Sequence, residues 1–290
     1  RGLDVIVTDH HEPKETLPEA LAVIDPKQAG CSYPDKNLAG VGVALKLCEA
    51  LCGRMGAGEE PWRKYLDLAA LGTAADIVPL LGENRVIAAL GFEQMTDSAV
   101  TGMRALIAAQ GLAGTPLSTR HAVFQLAPCI NAVGRLGDPR RGAEMLLTDD
   151  PAVAQLYARE LVEANRERRA IHQQVETEAT AWVMNNCDEQ RDVAIVAADK
   201  RWHVGVIGIV ASKLIERFYR PTILCSVADD GTVRGSGRSI RGLDLFSALG
   251  ECGDVLRNYG GHAAAAGVTL RADRVEEFRE RFNRVVRDRL

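Results

Sequence analysis

Along the chain, short runs of branched apolar residues alternate with longer stretches in which apolar and small side chains recur every three or four positions. The change of period marks where strands give way to helices. Val5, Ile6, Val7 and Thr8 form the first run and read as a buried strand. Helical spacing then organises Asn37 to Leu51, Trp62 to Leu71, Asn84 to Met95, Met103 to Gln110 and Ser118 to Leu126, with Pro79, Gly82, Gly111, Gly114 and Pro116 as punctuation. Asp150 followed by Pro151 is a strong helix start, because a carboxylate caps the first turn and proline tolerates it. No Gly or Pro interrupts that pattern before about Met184, and Val153, Leu156, Leu161, Ala164, Ile171, Val175, Ala179 and Trp182 keep an apolar stripe on it. A helix of that size is roughly 50 Å long, more than one small domain needs, so it is expected to bridge two domains. Beyond it, Val193 to Ala197 and Thr222 to Val227 read as strands flanking a helix from Val204 to Arg217, and Asp273 to Arg287 as a closing amphipathic helix. The expected fold class is α/β in both domains.

Composition narrows the class without naming a function. At 290 residues, 47% hydrophobic and 26% charged, the chain has the balance of a soluble two-domain protein, and no apolar run is long enough to cross a bilayer. Its seven cysteines, at 31, 48, 52, 129, 187, 225 and 252, are odd in number and scattered, which indicates neither a disulfide framework nor a zinc site and fits a reduced, cytoplasmic setting. A formal net charge of −4 argues against coating nucleic acid by bulk electrostatics. Local patches remain: Arg135, Arg140 and Arg141; Arg166, Arg168 and Arg169; and Arg234, Arg238 and Arg241, each of which also fits a solvated face. The chain opens on Arg1 with a core strand close behind, so an upstream portion is expected.

The candidate chemistry begins at Asp9, His10 and His11, where the first strand empties into two imidazoles and a carboxylate. In an open parallel sheet ligands collect at carboxyl ends of strands, and this trio suits Mn²⁺, Mg²⁺ or Zn²⁺. A surface turn or helix cap is the plainer alternative. Asp76 ends a helix that is apolar on nearly all faces; a carboxylate there asks for a cation, although capping a following turn also accounts for it. In the run from Ile130 to Arg135, Asn131 and Arg135 flank a glycine that lets a backbone approach a ligand, and a guanidinium matches phosphate oxygens; a loop with a surface salt bridge is the alternative. Trp202 and His203 precede a helix whose free N–H groups favour an anion. Arg234 to Ser239 reads as a small-residue strand with guanidiniums and hydroxyls suited to a sugar-phosphate backbone. Gly260, Gly261 and His262 open a run of small residues expected to allow close helix packing, with His262 as its only polar side chain. Gly40 with Gly42, and Gly205 with Gly208, look like pieces of a dinucleotide fingerprint but do not complete one, which excludes an NAD site.

The order of these motifs is more specific than any of them: the Asp-His-His triplet, LGTAADIVPL at 71–80, INAVGR at 130–135, WHVGVIGI at 202–209, RGSGRS at 234–239 and GGHAAAAG at 260–267. From about residue 3 to 270 the series resembles the RecJ family of single-strand-specific DNA exonucleases within the DHH phosphoesterase superfamily. The resemblance implies a partial DHH domain, a parallel sheet with helices, over 1–149, a connecting helix over 150–186, and a smaller α/β DHH-associated substrate-binding domain over 187–290. It implies 5′-to-3′ hydrolysis of single-stranded DNA in repair and recombination with Mn²⁺ or Mg²⁺, and a single-strand-binding protein or a helicase as partner. By the same resemblance His10 and Asp76 are metal ligands, and His11 meets the scissile phosphate while Asp9 supports the ligand set. Asn131 and Arg135 hold a substrate phosphate, and His203, Ser236, Arg238, Gly261 and His262 line the strand, in a cleft suited to a threaded single strand. The family's remaining metal-binding aspartates lie upstream of the triplet. These residues alone are therefore expected to bind cations weakly and to be inactive or nearly so. Two rival readings stand beside this one: a DHH phosphodiesterase of short oligonucleotides or cyclic dinucleotides, and a non-catalytic single-strand binding module.

Overall fold

Two parallel strands and a shell of helices build the first of two units, Arg1–Asn165, whereas the second, Arg166–Leu290, is organised on a five-stranded sheet. The computed structural model describes residues 2–14, 16–188 and 191–290. In the first unit β1 (Ile6–Thr8) pairs with β2 (Ala22–Ile24), Thr8 opposite Ile24. The run expected to be a buried strand is instead largely exposed, with Ile6 53% and Val5 50% accessible. The physical reason is that β2 is the only sheet partner of β1 among the described residues.

The helices follow as α1 (Gly40–Met55), α2 (Glu60–Arg63), α3 (Leu66–Asp76), α4 (Gly82–Met95), α5 (Thr101–Ala109), α6 (Thr119–His121), α7 (Ala127–Leu136) and α8 (Arg140–Leu147). Met95, Met103, Leu106, Leu126 and Met145 are fully buried in their common core. Between α6 and α7 one π-helical turn, Ala122–Leu126, replaces the regular ladder, and the N–H of Ala127 reaches back to Ala122 O. Pro128 supplies the cause: it has no N–H for the carbonyl four residues earlier, and its ring crowds that carbonyl. The helix therefore runs on past Leu126, where a loop was one reading of INAVGR, and Gly134 lies inside α7 rather than at a backbone approach to a ligand.

Asp67, on the first turn of α3, is fully buried and accepts hydrogen bonds from Ser98 Oγ and, at 2.7 Å, from Leu68 N. Burial outweighs these donors and raises its carboxyl above the usual value. A carboxyl raised in the folded state binds its proton more tightly there than in the unfolded chain, so its contribution to stability declines as pH rises from the unfolded value through the folded one. Asp67→Asn keeps an acceptor for both donors without a charge. Urea unfolding is expected to show the variant gaining on the wild type from about pH 4 toward neutrality; a gap independent of pH argues against a raised carboxyl.

The long helix α9 (Pro151–Asn186) is capped as expected, since Asp150 Oδ1 accepts from Ala152 N at 2.8 Å and Val153 N at 3.3 Å. Its early residues Ala154, Ala158 and Leu161 belong to the core of the first unit, and its later residues Val175, Ala179 and Val183 to that of the second. The second unit continues with β3 (Ile195–Asp199), α10 (Val204–Phe218), β4 (Thr222–Val227), β5 (Thr232–Arg238), α11 (Leu245–Gly250), β6 (Asn258–Gly261), β7 (Ala265–Arg271) and α12 (Val275–Arg289). Strand order is β3-β4-β5-β7-β6, with only β3 and β4 parallel. Ile195, Ala197 and Leu224 pack on α9 and α10, while Val196, Ile223, Val233 and Val268 pack on the side of α11 and α12. The run from Gly260 to Gly267, expected to pack between helices, is the β6–β7 hairpin. Its alanines and glycines carry no strand signal, and pairing with β5 settles their conformation. Among the described residues, no helix is long and apolar enough to cross a membrane.

Candidate functional site

On the first unit the candidate residues start at the carboxyl end of β1. Asp9 N donates to Ile24 O at 3.0 Å, which continues the pairing with β2, and the chain then turns so that Asp9 Oδ1 accepts from His10 N at 2.7 Å, His11 N at 3.2 Å and His11 Nδ1 at 2.8 Å. The His11 side chain, followed by the two backbone donors, holds the Asp9 carboxyl down to about 2. An ionised partner on Nδ1 keeps the proton there and leaves His11 Nε2 as the nitrogen able to accept or ligate. The two imidazoles lie with ring centroids 4.3 Å apart. A cavity of 460 Å³ opens alongside, lined by Asp9, His11, Glu12, Lys14 and Asp25 among others.

His10 meets a different carboxylate. Its Nδ1 lies 3.6 Å from Oδ2 of Asp76, with the imidazole 17% and the carboxylate 38% exposed. Helix packing explains this meeting of two groups distant in the chain. Gly72 and Asp76 are one turn apart on α3 and share a face. Gly72 lies so close to Val41 that an added Cβ would sit 2.8 Å from Cγ1 of that valine. The neighbouring residue of α1, Gly40, packs on the edge of His10, where a Cβ would meet Cδ2 at 3.1 Å. The first two residues of α1 thus seat His10 on one side and α3 on the other. Asp76 ends α3, and Ile77 then takes a left-handed conformation at φ 62°, which is unusual and costly for a β-branched residue.

Two donors sharing one divalent cation at 2.0–2.2 Å are roughly 3.0–3.8 Å apart, and the His10–Asp76 pair meets that distance. The pair is a partial set, since no group of three potential protein ligands occurs among the described residues. Asn131 and Arg135 stand one turn apart on α7, both exposed, on a helix that packs against α3.

The second unit carries a separate group of candidate residues. His203 caps α10, its Nδ1 accepting from Gly205 N at 3.0 Å, and His262 Nδ1 accepts from Ala264 N at 3.3 Å in the β6–β7 turn. Both rings therefore carry their proton on Nε2 when neutral, which makes them donors toward an anion, the opposite arrangement to His11. Gly261, at φ 147°, forms that turn, and a Cβ there would lie 2.3 Å from Ala265 O. On β5, Arg238 Nη1 donates to Ser236 Oγ at 3.2 Å and to Gly237 O at 2.8 Å, which fixes the guanidinium beside the hydroxyl.

Two family models match the chain, one toward each end. Residues 1–73 match the DHH family, N-terminal domain, and residues 191–288 match the DHHA1 domain. The single-stranded-DNA-specific exonuclease RecJ of Bacillus subtilis (strain 168) is 45% identical over 285 residues, which is 98% of this chain and 35% of that protein. A crystal structure of exonuclease RecJ bound to manganese superposes with a TM-score of 0.85 at 36% identity, covering 99% of this chain and 70% of that one. The chain belongs to the RecJ family. A second RecJ structure, from Thermus thermophilus in complex with Mg²⁺, aligns with a TM-score of 0.84 at 35% identity over 99% of this chain and 42% of that one. The chain spans 35–52% of the length of the curated RecJ proteins it matches.

Sequence reasoning missed the role of several residues that build the candidate site. Gly40, set aside as a fragment of a nucleotide fingerprint, is the seat of His10. Gly72, already singled out within the motif at 71–80, gains a packing role there: its contact with Val41 brings Asp76 into range. Asp25, only 4% exposed at the carboxyl end of β2, lines the same cavity as Asp9, and its Oδ1 accepts from Lys27 N at 2.8 Å. A carboxylate directly after a short apolar run was the available signal for Asp25, the same signal that marked Asp9.

Proposed function

We propose that this chain forms part of a metal-dependent exonuclease that degrades single-stranded DNA from the 5′ end. The observation that carries the reading is the approach of His10 to Asp76, an imidazole and a carboxylate spaced to share one cation. When bound, Mn²⁺ or Mg²⁺ supplies a Lewis acid for the phosphodiester and lowers the pKa of an attacking water. His10 and Asp76 would hold it, as part of a larger set of oxygen donors. RecJ proteins have been crystallised with both ions, which supports the same choice here.

The chain's own residues position the DNA. Asp9 fixes the tautomer of His11, whose Nε2 faces the task of accepting a proton or meeting the scissile phosphate. Arg135, with Asn131 beside it, holds a phosphate through charge-assisted hydrogen bonds. His203 and His262 donate from Nε2, and Ser236 and Arg238 supply a hydroxyl and a guanidinium to the backbone. Gly261 shapes the turn that presents His262. Contacts of this kind fix register on a strand without reading its sequence. Repair and recombination are the setting that suits such an enzyme, in the cytoplasm and with a single-strand-binding protein or a helicase delivering the strand.

The test uses the longest natural polypeptide that carries these residues. With Mn²⁺, a single strand labelled at its 5′ end is expected to release the label as mononucleotide before the rest shortens, while a duplex of the same sequence survives and excess chelator stops the reaction. Hydrolysis that persists in chelator, or that consumes duplex equally, overturns the assignment. Exclusive attack on dinucleotides points to the short-oligonucleotide phosphodiesterase instead.

A further inference from the structure

The polar row on β5 does not stop at Ser236 and Arg238. Residues two apart on a strand share a face, so Arg234 lies on the same side of the sheet, and the intervening Val233, Gly235 and Gly237 are buried on the other. That side carries α10, because a Cβ at Gly208 would sit 2.7 Å from Ser236 Oγ and 3.0 Å from Arg238 Nη2. The register sets Arg234 opposite Ser226 of β4 and Thr269 of β7, and Thr269 opposite Asn258 of β6. Ser226 in turn pairs with Asp199, the last residue of β3. This row therefore marks the carboxyl end of the parallel β3–β4 pair, the end at which α10 begins, and ligands gather at such ends.

The next row on this face, that of Ser236, carries no side chain on β7 or β6. Gly267 stands opposite Ser236, and Gly260 opposite Gly267. A Cβ at Gly260 would meet nothing within 4 Å, and one at Gly267 only Gly235 O at 3.8 Å. Arg234 itself is exposed and, among the described residues, makes no hydrogen bond or ion pair. The Asp230 carboxyl in the β4–β5 turn is held low by hydrogen bonds from Thr232 and, to a lesser degree, by the charges of Arg257 and Arg234.

We propose that Arg234, with Thr269 and Asn258 beside it, is a second subsite for a DNA backbone phosphate, one step along the strand from Ser236 and Arg238. A two-residue step on β5 covers roughly 6.6–6.8 Å, and the bare glycines beside Ser236 leave the sheet surface open to a strand there. The inference rests on the reading of Ser236 and Arg238 as DNA contacts.

The experiment uses the 290-residue chain and 5′-phosphorylated hexathymidylate, followed by fluorescence anisotropy as salt is varied, with thymidine 5′-monophosphate as competitor. Arg234→Gln is expected to weaken the hexamer by about tenfold and to reduce its salt slope by about 1, because one phosphate contact is lost. The monophosphate is expected to compete as well as before, Arg238→Gln to weaken both ligands, and Arg234→Lys to restore the slope. Since Arg234 is exposed, its variants are expected to keep the wild-type unfolding midpoint. Unchanged hexamer affinity and slope in Arg234→Gln, or an equal loss of the monophosphate, overturns the second subsite while leaving the first in place. If the wild-type chain binds neither ligand, the DNA-contact reading fails, and the subsite with it.

Discussion

Asp76→Ala is expected to lower the chain's affinity for Mn²⁺ by at least about a hundredfold, because changes merely behind a metal ligand already cost 10- to 100-fold and Asp76 is the only carboxylate in contact range of His10 among the described ion pairs. Removing it leaves a lone imidazole, which grips a hard cation poorly. Asp76→Asn keeps an oxygen in place without the charge and is expected to fall between the two. His10→Ala is expected to match Asp76→Ala, and the double variant to lose little more, since either change alone dismantles the pair. Electron paramagnetic resonance of free Mn²⁺ measures the affinities without any need for turnover. The carboxylate is 38% exposed, so the unfolding midpoint should hold and separate a lost ion from a lost fold. Wild-type affinity in Asp76→Ala would remove the support for a cation shared with His10.

The largest effect on stability is expected at two helix crossings. Gly102 of α5 lies against the backbone of α8, where an added Cβ would sit 1.9 Å from Met145 O and 2.6 Å from its carbonyl carbon. At Gly91 of α4 a Cβ would come within 2.2 Å of Leu66 O and 2.4 Å of Ala70 Cβ on α3. Neither obstacle is the free end of a side chain, so relief requires the helices to part, against cores that contain the fully buried Met103 and Met145 at one crossing and Ala70 at the other. Gly102→Ala and Gly91→Ala are each expected to cost about 3 kcal/mol or more, beyond the usual range for overpacking because backbone must move. Gly53→Ala, within α1 and with nothing within 4 Å of a Cβ, is the contrasting case and is expected to add about 0.5–1 kcal/mol. Urea unfolding of the three variants decides the matter. Equal midpoints for Gly53→Ala and Gly102→Ala would mean that the two helices are not in backbone contact.

The Gly91 crossing also bears on the site. It locks α4 to α3, the helix that delivers Asp76, so Gly91→Ala is expected to loosen the His10–Asp76 spacing before the unit unfolds. Stability and ion affinity are thus coupled through one helix, although no residue of that crossing touches the ion pair.

Much of the site was legible because its parts are local. Asp9, His10 and His11 are adjacent, and a short branched run ahead of them places them at a strand end whatever the rest of the fold does. Asp150 announced α9 through a cap that depends on the next three residues alone. The order of the motifs carried the family resemblance. Other features were illegible for equally physical reasons. Three residues, Ala22 to Ile24, are too few to show a period, so β2 was missed. Alanine and glycine favour no strand, so the β6–β7 hairpin looked like a helix contact until its pairing with β5 defined it. The apolar content of β1 suggested burial that its single partner among the described residues does not provide.

By itself the sequence determined the α/β class, the long capped helix and the chemical identity of the groups available to a cation and a phosphate, since these follow from neighbours within a turn or two. Only the tertiary structure decided which groups meet. His10 reaches Asp76 because α3 closes on α1 at Gly72, and His11, His203 and His262 take opposite tautomers because one ring meets a carboxylate and the others meet backbone N–H groups. Contacts between distant segments fix those distances and proton positions, and no local pattern of residues encodes them.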